Sequence, residues 1–509
     1  MILLQDIIRN SAGHCREKPA VKTRFDQLRY AELDALTDRL AGHIEAAGLG
    51  RRRGGIVADN SLEYVVAYFS VTKAGGCVVP LSCHQPAARL SEELRASDLG
   101  YVITTPRHVG ALPAAPGQAG MPGACWVLGE GGRRTDLAWL ASGPRRTRRK
   151  ADPDPGEPAL MLPTSGTDGL PKRVLLSHAN LLANVSSFLG AAGLHAGDPG
   201  LVVLPMTSSG TNTTELLAYL SAGMTIALYP PAPFILGDFC AALGEFKATV
   251  TNLTPFILNL MLAKSGEVRP RVQTLRKIFF ASAPIPVSQF ERLLEAFPGV
   301  QFQYGYGLTE ASPRCTMLDP SLARAKMGSA GRPIAGVDVR IIDEAGEPLP
   351  AGRTGQILVR GPNVMLGYDR QPDRTRAALA GGWLHTGDLG CLDAEGFLYV
   401  KGRIKSVIIT RGVKVSPEEV EQALAGHELV QDSHVFGVAD DLLGERVEAR
   451  VVPRVGAHPR SPDLKEFLRR RLPAAAVPDR ITVVADLGRG QTHKLPRGRP
   501  ERVVATQVP

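Results

Sequence analysis

The sequence predicts an α/β protein: layered sheets and helices in a large N-terminal part, then a small α+β unit. Three observations carry this reading. Apolar runs such as "GLVVLPM", "MTIALYP", "ATVTNLTP" and "KIFFASAP" read as buried strands, with helical patterns between several of them. Alternation of that kind argues for layered α/β architecture. After Gly328 the texture changes to "VDVRIID", "GQILVRG", "CLDAEGFLYVKGR" and "SVIITRG", short strands joined by Gly/Asp turns.

Taken in order, residues 1 to about 110 alternate helix and strand. "YAELDALTDRLAGHIEAAG" has helical periodicity and ends on glycine; "SLEYVVAYFSVTKAGG" repeats the pattern, and "CVVPL" follows as a buried strand. Residues 112 to 157, rich in Pro, Gly and Arg, read as irregular surface. In "SPEEVEQALAGH", Ser416 is the expected N-cap, with Pro417 in the first turn and Glu419 completing a capping box. "SHVFGV", "RVEARVVP", "SPDLKEFLRRRL" and "RITVVADL" then form the small unit. The boundary falls near Arg403 to Lys405, giving expected domains 1–403 and 404–509. No fixed-period repeat is present.

The 509 residues suffice for more than one core, and 44% hydrophobic with 21% charged residues is ordinary for a globular protein. The net charge of +9 suits an acidic or nucleotide-like partner. The basic run "RRTRRK" has no aromatic stacking pattern beside it, which argues against nucleic-acid binding. Seven dispersed cysteines without a CxxC pair argue for reduced thiols, not a disulfide framework or zinc site. "MILLQDIIRN" lacks signal-peptide features, so a cytoplasmic location is expected. The uncharged run Leu216 to Gly237 is long enough to span a bilayer, but Gly223, Pro230, Pro231 and Pro233 argue for a globular core instead.

Five motifs carry chemistry. "TSGTDGLPK" has glycines that let backbone N–H groups converge on an anion, hydroxyl donors and a lysine, the makings of a phosphate loop. It is not a Walker A loop, because Pro171 precedes Lys172 and Arg173 follows it. The competing reading is an ordinary flexible turn. In "YGYGLTEASP", Tyr306 can face a base, Gly307 permits close approach, Thr309 can donate to phosphate and Glu310 can hold a hard cation. Asp388 in "GGWLHTGDLG" can accept from ribose hydroxyls. Arg403 and Lys405 stand in "KGRIKSVIITRG", and Lys494 in "GQTHKLPRGR". Taken singly, these read as a buried aromatic turn, an Asp turn, a basic strand and a solvated lysine.

Together and in this order, the five resemble the core motifs of the adenylate-forming superfamily: acyl- and aryl-CoA synthetases, peptide-synthetase adenylation domains and luciferases. "YFSVTKAGGCVVPL" and "GSAGRPIAGVDVRIID" extend the resemblance over nearly the whole chain. It implies a multi-subdomain N-terminal domain with a small β-barrel-like part and a small mobile C-terminal lid. It implies two half-reactions. A carboxylate attacks the α-phosphate of ATP, giving acyl-adenylate and pyrophosphate, and a thiol then displaces AMP. The lid rotates between the steps.

Carried over by position, Thr164, Ser165, Gly166, Thr167, Gly169 and Lys172 would embrace the β- and γ-phosphates. Ala283 and Pro284 would line the adenine pocket beside Tyr304, Gly305 and Tyr306. Thr309 would contact the α-phosphate, and Glu310 the Mg²⁺. Asp388 would hold the ribose, aided by Arg403. Lys405 would be the hinge, and Gly412 would border the thiol's approach. Lys494 would bridge the substrate carboxylate and the α-phosphate, stabilising developing charge.

Three positions depart from the family pattern: Asp168 where Thr or Ser is usual, Arg173 for Gly, and His493 for the Gly before Lys494. Asp168 is expected to pair with a neighbouring cation, Lys172 or Arg173. The acid pocket is expected around Thr207, Ser208, Ser209, Gly210, Thr211, Asn212, Thr213 and Gly307. Thr207 falls near a position where many relatives carry a gating histidine. Gly210 falls where peptide-synthetase domains place an Asp, so a substrate without an α-amino group is expected. Small polar residues suit a modest or polar acid, although the same hydroxyls also serve to cap a helix. Arg314 reads first as a surface salt-bridge partner, and second as a contact for another substrate carboxylate.

The expected activity is ATP- and Mg²⁺-dependent ligation of a small carboxylic acid to CoA. The alternatives are transfer to the phosphopantetheine of an acyl carrier protein, amide formation, or a nucleotide-binding pseudoenzyme.

Overall fold

The computed structural model describes residues 3–112, 121–129, 152–164, 172–229, 234–281, 285–410, 413–440 and 443–487. Among these residues the chain forms four sheets.

The largest sheet has nine strands. Its centre is parallel: Gln301–Tyr306, Lys277–Phe280, Val250–Leu253, Gly200–Val202, Ile226–Leu228 and Pro19–Lys22 run side by side in that order. These are the apolar runs of the sequence. Strands covered on both faces need such unbroken hydrophobicity. The seven-stranded second sheet has Pro158–Thr164, Cys77–Leu81, Arg53–Val57 and Tyr101–Thr104 as its parallel core. Its fifth parallel strand is Cys125–Val127, within the stretch the sequence reads as irregular surface. Trp126 explains the difference, since its ring packs edge-on against Tyr101 at 5.3 Å.

Two smaller sheets follow. Asp338–Ile342, Gly355–Arg360, Leu384–Leu392 and Leu398–Arg403 form an antiparallel sheet. The last sheet joins Val413–Val415, Ile408–Thr410, Gly444–Pro453 and Val430–Asp440, with Arg480–Val483 added in parallel. One hydrophobic core runs from Leu4 to Leu398, and another from Ile408 to Ile481. A single helical turn, Ile404–Ser406, lies between them.

The helix Leu62–Lys73 is buried along its length, and its N-cap Ser61 accepts from the Tyr64 amide. Before the helix Pro417–Ala425, the Ser416 hydroxyl accepts from the Glu419 amide, but the capping box is only half formed. The Ser416 hydroxyl also lies 2.9 Å from Glu418 Oε2 and 3.0 Å from the Lys401 carbonyl, with one proton to donate between them, tying this helix to the preceding sheet. Of the uncharged run, residues 216–229 form the end of one helical stretch, a short helix and the strand Ile226–Leu228. Among the described residues, no helix is long and apolar enough to cross a membrane.

Candidate functional site

Asp388 sits in the strand Leu384–Leu392, directly opposite Arg403 in the antiparallel ladder. The cross-strand pair closes as an ion pair, Arg403 Nε to Asp388 Oδ1 at 2.6 Å. Gly387 precedes it with φ +71°, backbone that favours glycine. The Tyr306 hydroxyl comes from the C-terminal end of the strand Gln301–Tyr306 of the large sheet and donates to Asp388 Oδ2 at 2.7 Å. Burial, then Asp388, pushes the Tyr306 hydroxyl far up, so it stays a donor. Three residues from three separate motifs thus meet at one buried carboxylate, whose remaining lone pairs suit further hydroxyl donors.

A second junction lies around Glu310. Its Oε1 accepts from the Tyr368 hydroxyl at 3.0 Å, and its backbone carbonyl accepts from the Met365 amide. Lys172 Nζ stands 4.9 Å from the centre of the Tyr368 ring. Lys172 of the expected phosphate loop and Glu310, the expected cation ligand, are therefore linked through one tyrosine. Sequence reading missed Tyr368. The strand Gly367–Tyr368 pairs with Lys172–Ser177, an arrangement no local motif announces. Among the described residues, Oε2 of Glu310 accepts no hydrogen bond, which fits a carboxylate open to a hard cation. The grouping of three metal-type donors found among the described residues lies elsewhere, at Asp59, Cys83 and His84.

Thr309 Oγ1 lies 3.0 Å from Ser209 Oγ, joining the "TEASP" turn to the expected acid pocket. The pocket hydroxyls divide into two kinds. Ser208 caps a helical turn, Thr214 donates to the Gly210 carbonyl, and Asn212 accepts from Tyr68. Thr213 Oγ1 is buried without a hydrogen bond among the described residues. A Cβ built on Gly210 would meet nothing within 4 Å, so space opens there. Residues Asn212–Leu217 form a π-helical stretch, a distortion of the α-helix that is frequent at functional sites.

Arg314 stands differently from expectation, and the other residues fall as follows. Arg173 lies 3.6 Å from Asp369, which also holds Arg53 at 2.6 Å. Its charge is thus met from outside the phosphate loop. The Tyr304 ring stacks on Phe280 at 4.9 Å and 9°, and so is packed into the core. Arg314 is 4% exposed, not a surface residue, and no ion pair reaches it among the described residues. Gly307 is required by packing, because a Cβ there would collide with the Pro313 carbonyl. Lys405 is exposed in the turn Ile404–Ser406. Thr164 ends its strand with its backbone opposite Lys172. Ser165, Gly166, Thr167, Asp168, Gly169, Ala283, Pro284, Gly412 and Lys494 lie outside the described residues.

With this geometry in hand, known proteins are informative. The family model described as AMP-binding enzyme matches residues 8–369, and its C-terminal domain model matches 419–494. A feruloyl-CoA synthase of Amycolatopsis sp is 31% identical over 493 residues, 95% of each chain. A fatty acid–[acyl-carrier-protein] ligase of Streptomyces coeruleorubidus is 31% identical, over 97% of this chain and 95% of the other. The O-succinylbenzoate coenzyme A synthetase of Bacillus subtilis, solved with ATP and magnesium ion, superposes with a TM-score of 0.82 at 25% identity. That match covers 96% of this chain and 98% of the other.

Proposed function

The chain belongs to the AMP-binding enzyme family, the adenylate-forming superfamily, and from that premise we propose how its residues carry out the reaction. It is an AMP-forming acid–CoA ligase of the acyl- or aryl-CoA synthetase type, using ATP and Mg²⁺. The observation that carries our reading of the site is the convergence of Tyr306 and Arg403 on the buried carboxylate of Asp388.

Asp388 holds the ribose hydroxyls in the lone pairs that Arg403 and Tyr306 leave. The two partners orient it, so its hydrogen bonds to substrate are charge-assisted. Glu310 holds Mg²⁺, which neutralises charge on the triphosphate. Tyr368 orients Glu310, and Lys172 adds a cation beside it. Thr309 meets the α-phosphate, and Ser209 orients its hydroxyl. Ser165, Gly166, Thr167 and Gly169 surround the β- and γ-phosphates, with Thr164 at the loop's base. Ala283 and Pro284 flank the adenine.

Lys494 bridges the attacking carboxylate and the α-phosphate in the first step. The unit 404–509 then turns about Lys405 and brings Gly412 toward the incoming thiol. The separate cores on either side of the turn Ile404–Ser406 support motion of one unit against the other. The acceptor is CoA. A carrier-protein phosphopantetheine is the second reading, favoured by the 31% identical acyl-carrier-protein ligase.

An acid-dependent ATP–pyrophosphate exchange screen over small aryl acids, short acyl acids and amino acids tests the first half-reaction. CoA or a carrier protein is then added with the active acid, and AMP and thioester are measured. Exchange with no acid in the library defeats the ligase reading for those classes. Thioester on the carrier but not on CoA would reverse the order of the two acceptors.

A further inference from the structure

We propose that Arg314 forms the inner end of the acid pocket and selects a carboxylic acid carrying a second acidic group. This rests on the ligase reading above and names the substrate class it leaves open.

The arginine is built into the fold. A Cβ on Gly305 would meet Arg314 Nη1 at 2.5 Å, so glycine there makes room for the guanidinium. The chain doubles back after Gly307, and the Cys315 amide donates to the Tyr306 carbonyl. Asn184 clamps the arginine backbone, accepting from Arg314 N at 3.3 Å and donating to its carbonyl at 2.6 Å. The side chain is thus carried 4% exposed to the underside of the helical stretch around residue 215.

Among the described residues its charge has no ion-pair partner. Nε is buried without a hydrogen bond, and the guanidinium donates none to any described residue. The ring of Phe188 lies 5.8 Å away. Burial lowers the guanidinium to about 10, partly offset by Cys315, Tyr219 and Glu215, so it stays protonated at neutral pH. A buried charge without a counterion is strongly unfavourable, and a group of this kind asks for a ligand.

From the helical stretch, the Glu215 carboxyl and the Tyr219 hydroxyl face the guanidinium. Among the described residues, both carboxyl oxygens of Glu215 and the Tyr219 hydroxyl are buried without a hydrogen bond. Burial pushes the Glu215 carboxyl well up, and the Asn252 backbone, Thr211 and Arg314 only temper this. That upward push weakens Glu215 as a counterion, and no ion pair joins it to Arg314 among the described residues. A buried cation without a hydrogen bond among the described residues, beside the Tyr219 hydroxyl and the Glu215 carboxyl, makes a receptor for an anion. The same arrangement disfavours a substrate ammonium, which Arg314 would repel.

The helical stretch also sets a length. Ser209 touches Thr309 at the reacting end. Glu215 lies six residues on, on the order of 9 Å at about 1.5 Å per residue. A short chain or a single ring spans that distance.

The test compares acids of equal length with and without a terminal carboxylate or sulfonate in the exchange assay. The wild-type enzyme should prefer the diacid by about 100-fold or more in kcat/KM, as expected when a buried polar receptor is left unfilled. Arg314→Gln should cost the diacid at least ten times more than it costs the monoacid. Arg314→Lys should recover part of the difference, with thermal melts reporting whether each variant is folded. Preference for the monoacid, or equal loss on both acids, overturns the proposal and leaves the ligase reading standing. Exchange with neither acid nor any other overturns both.

Discussion

The hydroxyl of Tyr306 donates to Asp388 Oδ2 at 2.7 Å, joining the large sheet to the small antiparallel sheet. Because Arg403 holds the other oxygen, the carboxylate is gripped from two sides. Tyr306→Phe should raise the KM for ATP about tenfold, consistent with loss of one charged hydrogen bond of ~1.5 kcal/mol. Asp388→Asn should cost more, because Arg403 loses its counterion. Steady-state kinetics with ATP varied checks both, and the KM for the acid should not move.

Lys494→Ala should abolish adenylation yet spare thioester formation from supplied acyl-adenylate. Single-turnover assays of each half-reaction measure this. Equal loss in both halves would remove the lysine from its proposed role.

Tyr368→Phe keeps a ring beneath Lys172 but deletes the donor to Glu310 Oε1. The Mg²⁺ concentration for half-maximal exchange should rise about threefold, in line with a lost hydrogen bond of under ~1 kcal/mol. The comparison Tyr368→Leu removes the ring as well and should raise the KM for ATP.

Asp369 is a structural anchor of the phosphate-loop strand. It is 3% exposed and holds Arg53 and Arg173. Asp369→Ala leaves two partly buried cations together and should destabilise the fold by about 3 kcal/mol. Urea melts measure it. Asp168 faces different consequences. With Arg173 met by Asp369, Lys172 is the neighbour Asp168 would tie up. Asp168→Thr should lower the KM for ATP.

His178 gives the fold an acid-sensitive point. It is 1% exposed, and its Nδ1 accepts from the Leu4 amide at 3.1 Å. Burial lowers it from 6.5 to about 4, with Glu157 and Asp6 opposing. The unfolded chain therefore takes up this proton near pH 6.5, before the folded protein does. Its stabilising effect is whole above that pH and falls away toward pH 4, by up to ~3 kcal/mol at 1.36 kcal/mol per pH unit. His178→Gln should flatten the stability profile over that interval.

The sequence alone determined the class of protein. Helical periodicity and unbroken apolar strands specify layered α/β structure, because the patterns are local and repeat over many residues. The five motifs specified the family, because glycines, hydroxyls and charges at set positions are written contiguously. The tertiary structure decided which of those motifs meet. Asp388 and Arg403 are cross-strand neighbours only because the ladder registers them so. Tyr368 entered the site because a two-residue strand pairs beside Lys172, and two residues are too short to show a period. Arg314 read as a surface cation, since charge next to a turn is normally solvated. It is buried because Gly305 leaves the volume and Asn184 holds the backbone, and these contacts span residues far apart in the chain. Local composition encodes what a segment prefers; only long-range packing decides whether a charge is given a partner.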